Sequence, residues 1–314
     1  MSMVELSWLV RRQGLDAKGA KFSAEFREGR RGRMMQRVRW VVFGLMLLGI
    51  GGVRARAQAS AIESAQPGPE VQGENRGRKL LDEMVQALGG DAWLNRQDWI
   101  FEGRAATFYK GMPHEEAPQF EEYYRAQPFA ERVIVITHYG VFIATNHKDI
   151  AEVWTPDNGY EITFKGKVPL PVKDVEDYQR RRKHSLETIV MEWLKQPSIV
   201  VTYEGAGMAE RRLADQVSIL TASNDAITLK LDESTHLPLS LSFQWRDPLY
   251  KDLNTDVEEF DDYHLIQGIQ TPFAITRLHN GDMTGQRFFT KVTYNSKLSA
   301  DLFDPDRPLE KKAK

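Results

Sequence analysis

The chain of 314 residues contains no cysteine. That absence excludes disulfide frameworks, thiolate metal sites, thiol nucleophiles and a lipid-bearing N-terminal cysteine together. Proline and glycine are modest at 14 and 23 residues, while 41% of the chain is hydrophobic and 27% charged. Collagen-like, mucin-like and wholly disordered chains are thereby excluded. Net charge is nearly absent too, at −2, but the average hides a division. Residues 1–59 carry 12 of the 42 Lys and Arg and 4 of the 44 Asp and Glu, a local +8, whereas residues 60–314 stand at −10. Phosphate backbones repel such an acidic body, so nucleic acid is not an expected partner.

Long hydrophobic runs are scarce. The clearest is Trp40 to Val53, 14 uncharged residues that follow Arg37 and Arg39 and precede Ala57-Gln58-Ala59. At about 1.5 Å per residue it reaches roughly 21 Å, short of a hydrocarbon core of about 30 Å. A positive end, a short apolar run and a small-x-small site read as a secretory signal peptide, cleaved after Ala59. The expected location is outside the cytoplasm, with no stable membrane span after signal cleavage. Residues 1–33 make a long extension before such a signal, so Met34 or Met35 is a candidate translation start beside Met1.

The expected organisation is an N-terminal extension plus signal peptide over 1–59, a flexible Pro- and Gly-rich tether over 60–77, one β domain over 78–305, and a charged tail over 306–314. A short amphipathic helix is predicted from Arg78 to Leu88 and stopped by Gly89-Gly90. Beyond it the period becomes two, and strands separated by Pro, Gly or charged turns are predicted at hairpin spacing, one of them over Val141 to Asn146. Leu237, Leu239, Leu241, Phe243 and Trp245 alternate with Pro238, Ser240, Ser242 and Gln244, which gives one apolar and one wet face. One long helix interrupts the series: Asp174 is the expected cap, Val175, Tyr178, Leu186, Ile189, Val190, Trp193 and Leu194 its apolar stripe, and Pro197 its end. The residues read as mainly β: a single antiparallel meander with one apolar face, covered or partly covered by the long helix.

Catalytic patterns are missing. The seven histidines form no i, i+4 pair on a helix, there is no H-E-x-x-H or G-x-S-x-G, and Gly205-Ala206-Gly207 opens no βαβ unit. No catalytic residue, metal ligand or cofactor is expected, and the chain reads as a non-enzyme. Two charged runs stand out. Arg180-Arg181-Arg182-Lys183 reads as a solvated helix face, with an anion site as the alternative. Asp256, Glu258, Glu259, Asp261 and Asp262 read as a solvent-facing strand protected from edge pairing, with a calcium site or a carboxylate pair as the alternative. Aromatics are the surplus, and a half-closed sheet with an aromatic and aliphatic inner face is suited to an acyl chain.

Three stretches resemble a known family. Leu81-Asp82-Glu83-Met84-Val85-Gln86-Ala87-Leu88-Gly89-Gly90, followed by Trp93-Leu94 and Glu102-Gly103, is similar to the opening of LolA/LolB-like outer-membrane lipoprotein-sorting proteins. Leu229 to Pro238 resembles their hairpin with Asp and Leu-Pro, and Phe260-Asp261-Asp262-Tyr263 with Gly268 to Pro272 resembles their C-terminal strand and turn. The resemblance implies a periplasmic lipoprotein carrier-like fold: an incomplete antiparallel β-barrel, a curved sheet of about 11 strands with the long helix and the short N-terminal helix covering its concave face, and a hydrophobic cavity for lipids or lipoprotein acyl chains. The leading expectation is therefore a periplasmic hydrophobic-ligand binder that carries or senses such chains. Its expected lining is Trp154, Ile189, Trp193, Leu239, Leu241, Phe243 and Trp245. The alternatives are an envelope protein–protein interaction or stress-sensing module without lipid transfer, and a hydrolase using the Asp256–Asp262 carboxylates.

Overall fold

A computed structural model describes residues 69–113, 117–136, 138–139, 146–147 and 149–309. The expected signal segment, residues 141–145 and the tail beyond 309 lie outside the described residues. Helix α1 (Pro69–Leu88) and a turn of helix α2 (Asp91–Leu94) open the fold. Nine strands follow: β1 (Asp98–Tyr109), β2 (Met112–Pro113), β3 (Gln119–Arg125), β4 (Ala130–Ile136), β5 (His138–Tyr139), β6 (Asn146–His147), β7 (Ile150–Trp154), β8 (Gly159–Thr163) and β9 (Gly166–Pro169). Helices α3 (Val172–Lys183) and α4 (Leu186–Met191) come next. The chain then runs through β10 (Val200–Ala209), β11 (Arg212–Leu220), β12 (Ala226–Asp232), β13 (Pro238–Arg246), β14 (Leu253–Ile266), β15 (Ile269–His279) and β16 (Asp282–Tyr294).

Fourteen strands join one sheet in the order β10-β11-β12-β13-β14-β15-β16-β1-β3-β4-β7-β8-β9, with β2 beside β1, while β5 pairs with β6. Every pairing is antiparallel. The run departs from simple meander order where the last strand, β16, lies against the first. The edge strands β9 and β10 do not pair with each other, so the barrel is incomplete, as expected. Register shifts fall at Glu102/Gly103, Tyr203/Gly205, Lys230/Leu231 and Arg277/Leu278. Such irregularities bend a sheet and increase its twist, which lets one face wrap a core. At Gly103 the backbone of β16 approaches so closely that a Cβ would meet the Phe288 carbonyl oxygen at 2.2 Å.

The N-terminal helix is longer than expected: it starts at Pro69, so residues 69–77 are helical rather than tether. Its Leu80, Leu81, Met84 and Leu88 are buried at helical spacing in the main core with Val217, Ile219, Ile227, Leu229 and Leu231 of β11 and β12. Gly89 ends it at φ 130°, where a Cβ would strike the Gly268 carbonyl oxygen at 2.4 Å.

The single long helix expected from Asp174 is two helices. The N-cap of α3 is Pro171, and Asp174 is buried inside the first turn. At the break, the Ser185 hydroxyl accepts from the Thr188 N–H at 3.3 Å and caps α4, while the Thr188 hydroxyl donates to the Arg182 carbonyl at 2.8 Å. Side-chain hydroxyls thus serve backbone groups that a continuous helix would have satisfied itself. The break separates two tasks. Leu186, Ile189 and Val190 of α4 enter the main core with Trp193, and α3 is free to turn its arginines toward the sheet.

Candidate functional site

A cavity lies between the inner sheet face and the α3–α4 segment, with about 240 Å3 open to the centres of water molecules. Register explains its walls, because residues directly opposite on antiparallel strands share a face. Leu241 of β13 faces Glu258 of β14, which faces Arg277 of β15; one step along, Phe243 faces Asp256, which faces His279. On the other side Trp154 faces Glu131, then Tyr124, then Trp99; the neighbouring row is Glu152, Val133, Glu122 and Phe101. All of these residues line the cavity, in rows that alternate rings and aliphatics with charges.

The structure therefore corrects the expected oily wall. Arg96, Arg180, Arg181, Arg182, Arg277 and Arg287 line the cavity, as do Glu122, Glu131, Glu152, Glu187, Asp256 and Glu258. Most charges are matched. Arg287 pairs with Glu122, Arg277 Nε donates to Glu258 at 2.8 Å, and Arg96 Nη2 donates to Glu187 at 3.0 Å. The Asp256 carboxylate accepts from Trp245 Nε1 at 2.9 Å and lies 2.7 Å from His279 Nδ1. Rings supply the second kind of partner. Arg96 lies over Trp93 at 3.9 Å, Arg180 over Trp245 at 3.4 Å, Arg182 over Phe129 at 3.6 Å and Arg287 over Phe120 at 4.5 Å. Cation–ring contacts strengthen when water is excluded.

Burial shifts several protons. The Glu131 carboxyl is pushed up to about 7 by burial and by Glu122, against the hydrogen bond it accepts from the Tyr178 hydroxyl and the pull of Arg287. Glu258 is also penalised by burial, but Arg277 overrides it and holds the carboxylate below its ordinary range. His184 is lowered, chiefly by burial; it stacks on Phe243 at 4.1 Å with its Nδ1 2.7 Å from the Arg180 carbonyl.

Of the seven expected lining residues, the structure brings Trp154, Leu241, Phe243 and Trp245 to the cavity. Ile189, Trp193 and Leu239 are buried and are not among its walls. The solvated-face reading of Arg180-Arg181-Arg182-Lys183 is overturned for three of the four: only Lys183 stays exposed, paired with Asp225. Likewise Asp256 and Glu258 face inward, whereas Asp261 and Asp262 are exposed. No group of three or more His, Asp or Glu among the described residues comes together as a metal site. The sequence reading missed Glu122, Arg277 and Arg287, and their signal was phase. Glu122 stands in phase with Phe120 and Tyr124, Arg277 with Phe273 and Ile275, and Arg287 with Phe289, so each charge shares parity with an apolar strand face.

No family model matches the sequence, and no curated protein does. Solved structures similar to this chain include a candidate outer membrane lipoprotein-sorting protein domain from Vibrio parahaemolyticus (10% identity, 74% of this chain and 100% of that one, TM-score 0.47). A DUF1329 family protein from Desulfovibrio piger matches at 12% identity over 74% and 97%, with a TM-score of 0.48. A LolA superfamily protein from Nitrosomonas europaea matches at 8% identity over 72% and 96%, with a TM-score of 0.41. The resemblance read from the sequence has its counterpart in these structural neighbours. At such identities and TM-scores the functional reading rests on this chain's own residues.

Proposed function

We propose that this chain is an exported, non-catalytic binding protein of the cell envelope that shelters an amphiphile, a lipid or a lipoprotein acyl chain, between its open sheet and the α3–α4 segment. The observation that carries the reading is the cavity itself: the apolar run of Leu241, Phe243 and Trp245 along β13 stands beside the charged run of Asp256 and Glu258 along β14 on one roofed sheet face. A purely apolar ligand would leave the charged rows dry and underused, and a small polar ligand would leave the rings idle. A molecule with both kinds of surface uses both. Each methylene transferred from water contributes about 0.8 kcal/mol, so even a partly sheltered chain is held measurably and can still be released.

The test is titration of the purified full chain with a fluorescent fatty acid. Saturable binding is expected, weakened about tenfold by Leu241→Ala and by more in Phe243→Ala. Absence of saturable uptake of any acyl probe would remove the reading.

A further inference from the structure

Six arginines line the cavity, and five of them have an ionic or ring partner: Arg96, Arg180, Arg182, Arg277 and Arg287. Arg181 is different. Among the described residues it makes no ion pair and lies over no ring, and its Nη2 is sealed from solvent without a hydrogen-bond partner. The Nε atoms of Arg180 and Arg182 on either side of it in sequence are also sealed and unpartnered. The strongest charge Arg181 feels is a like one: burial first and Arg277 second lower its proton affinity to about 10, against the weaker pull of Asp177 and Asp256. A buried cation without a counter-charge is costly, and a neighbouring cation makes it costlier. Three consecutive arginines thus stand beside open volume, and the middle one has no ion pair among the described residues.

We infer that Arg181, supported by Arg182 and Arg277, receives the oxyanion head, a carboxylate or a phosphate, of a chain-bearing ligand whose tail lies along Leu241, Phe243 and Trp245. The inference rests on the amphiphile reading and names the head that this reading leaves open. Guanidinium suits both oxyanions because its planar fork offers paired N–H donors, and hydrogen bonds between two charged partners are the stronger kind. The acidic surroundings do not cancel the attraction. Glu258 and Asp256 are already engaged by Arg277 and by Trp245 with His279, and Glu131 by Tyr178.

The experiment displaces a fluorescent fatty acid from the full chain with three probes of equal tail length: decanoate, decyl phosphate and decanol. The expected result is a preference of about tenfold or more for at least one charged probe over decanol in the unmodified protein. Arg181→Gln abolishes that preference by weakening the charged probes far more than decanol; Arg181→Lys, which keeps the charge and loses the fork, retains part of it. Tighter binding of decyl phosphate assigns the site to phosphate-headed lipids, and tighter binding of decanoate assigns it to free fatty acids. Equal displacement by all three probes in the unmodified protein overturns the head-group inference while the amphiphile reading stands. So does a preference that survives in Arg181→Gln. If no probe displaces the dye, the amphiphile reading falls and the inference falls with it. Unliganded Arg181→Gln is expected to melt no lower than the parent, since it removes an unmatched buried charge.

Discussion

The two ends of the inner sheet face are built from different chemistry. In the main core shared by α1 and α4, the strands β11 and β12 present Val217, Ile219, Ile227, Leu229 and Leu231, each at most 2% exposed, with no charge among them. Under α3, the strands β3, β4, β14 and β15 present Glu122, Glu131, Asp256, Glu258, Arg277 and His279 among aromatic rings. Both ends alternate with period two and both are covered by helix, so neither patterning nor cover explains the contrast. What differs is what the helix brings. A helix with Leu80, Met84 and Leu88 seals its strands; a helix with Arg180, Arg181 and Arg182 leaves room between side chains that repel one another. A dry end holds the fold together by burial, and a charged end holds a space open.

Breaking the dry end carries the largest expected effect. Leu229→Ala removes a fully buried side chain and is expected to cost about 2–5 kcal/mol, read by urea unfolding, with ligand affinity unchanged among molecules that remain folded. At the charged end Arg277→Gln removes the partner of Glu258. A loss of about 1–3 kcal/mol is expected, smaller than for a sealed pair because both side chains are about a quarter exposed. Glu258 also loses the charge that holds its proton affinity down, so the variant's deficit shrinks as pH falls and the carboxyl protonates.

Glu131 sharpens the contrast through pH. Its folded-state proton affinity of about 7 lies above the ordinary 4.5, so the folded chain holds an extra proton between those values. Stability from this group is therefore lost as pH rises through that window and is constant above it. Glu131→Gln removes the slope: relative to the parent, the variant gains on the order of 1–3 kcal/mol at pH 8 compared with pH 4. Equal pH slopes in both proteins would refute the shift. The smallest effect belongs to the outer surface. Lys291→Ala, which removes the exposed pair with Glu102, is expected to change stability by less than about 1 kcal/mol and ligand binding not at all.

Much of the fold is legible in the sequence because period two, turn chemistry and a Gly-Gly stop are local signals. β13 reads correctly from Leu241, Phe243 and Trp245, and its apolar face does line the cavity. Fourteen strands stand where about eleven were expected, because short β2 and β9 carry almost no pattern of their own. The broken helix had its signal in Ser185 and Thr188, overshadowed by a stripe that fits one helix as well as two. The site was half legible. Aromatic and aliphatic walls follow from alternation, but Arg180–Arg182 and Asp256–Glu258 look like solvated charge in sequence. Their inward direction is decided by the sheet's wrap and by partners more than twenty residues away, such as Asp256 with His279. Only charges in phase with apolar strand faces betray it.

The central claim is that the charged end holds an amphiphile with its tail on β13 and its head at α3. A crystal structure of the full chain grown with 10-bromodecanoate tests it most directly, because the bromine marks the tail by its anomalous signal. The account predicts a single bromine site among Leu241, Phe243 and Trp245 with the carboxylate at Arg181. Bromine sites confined to the outer surface, with the cavity holding only water, would contradict it.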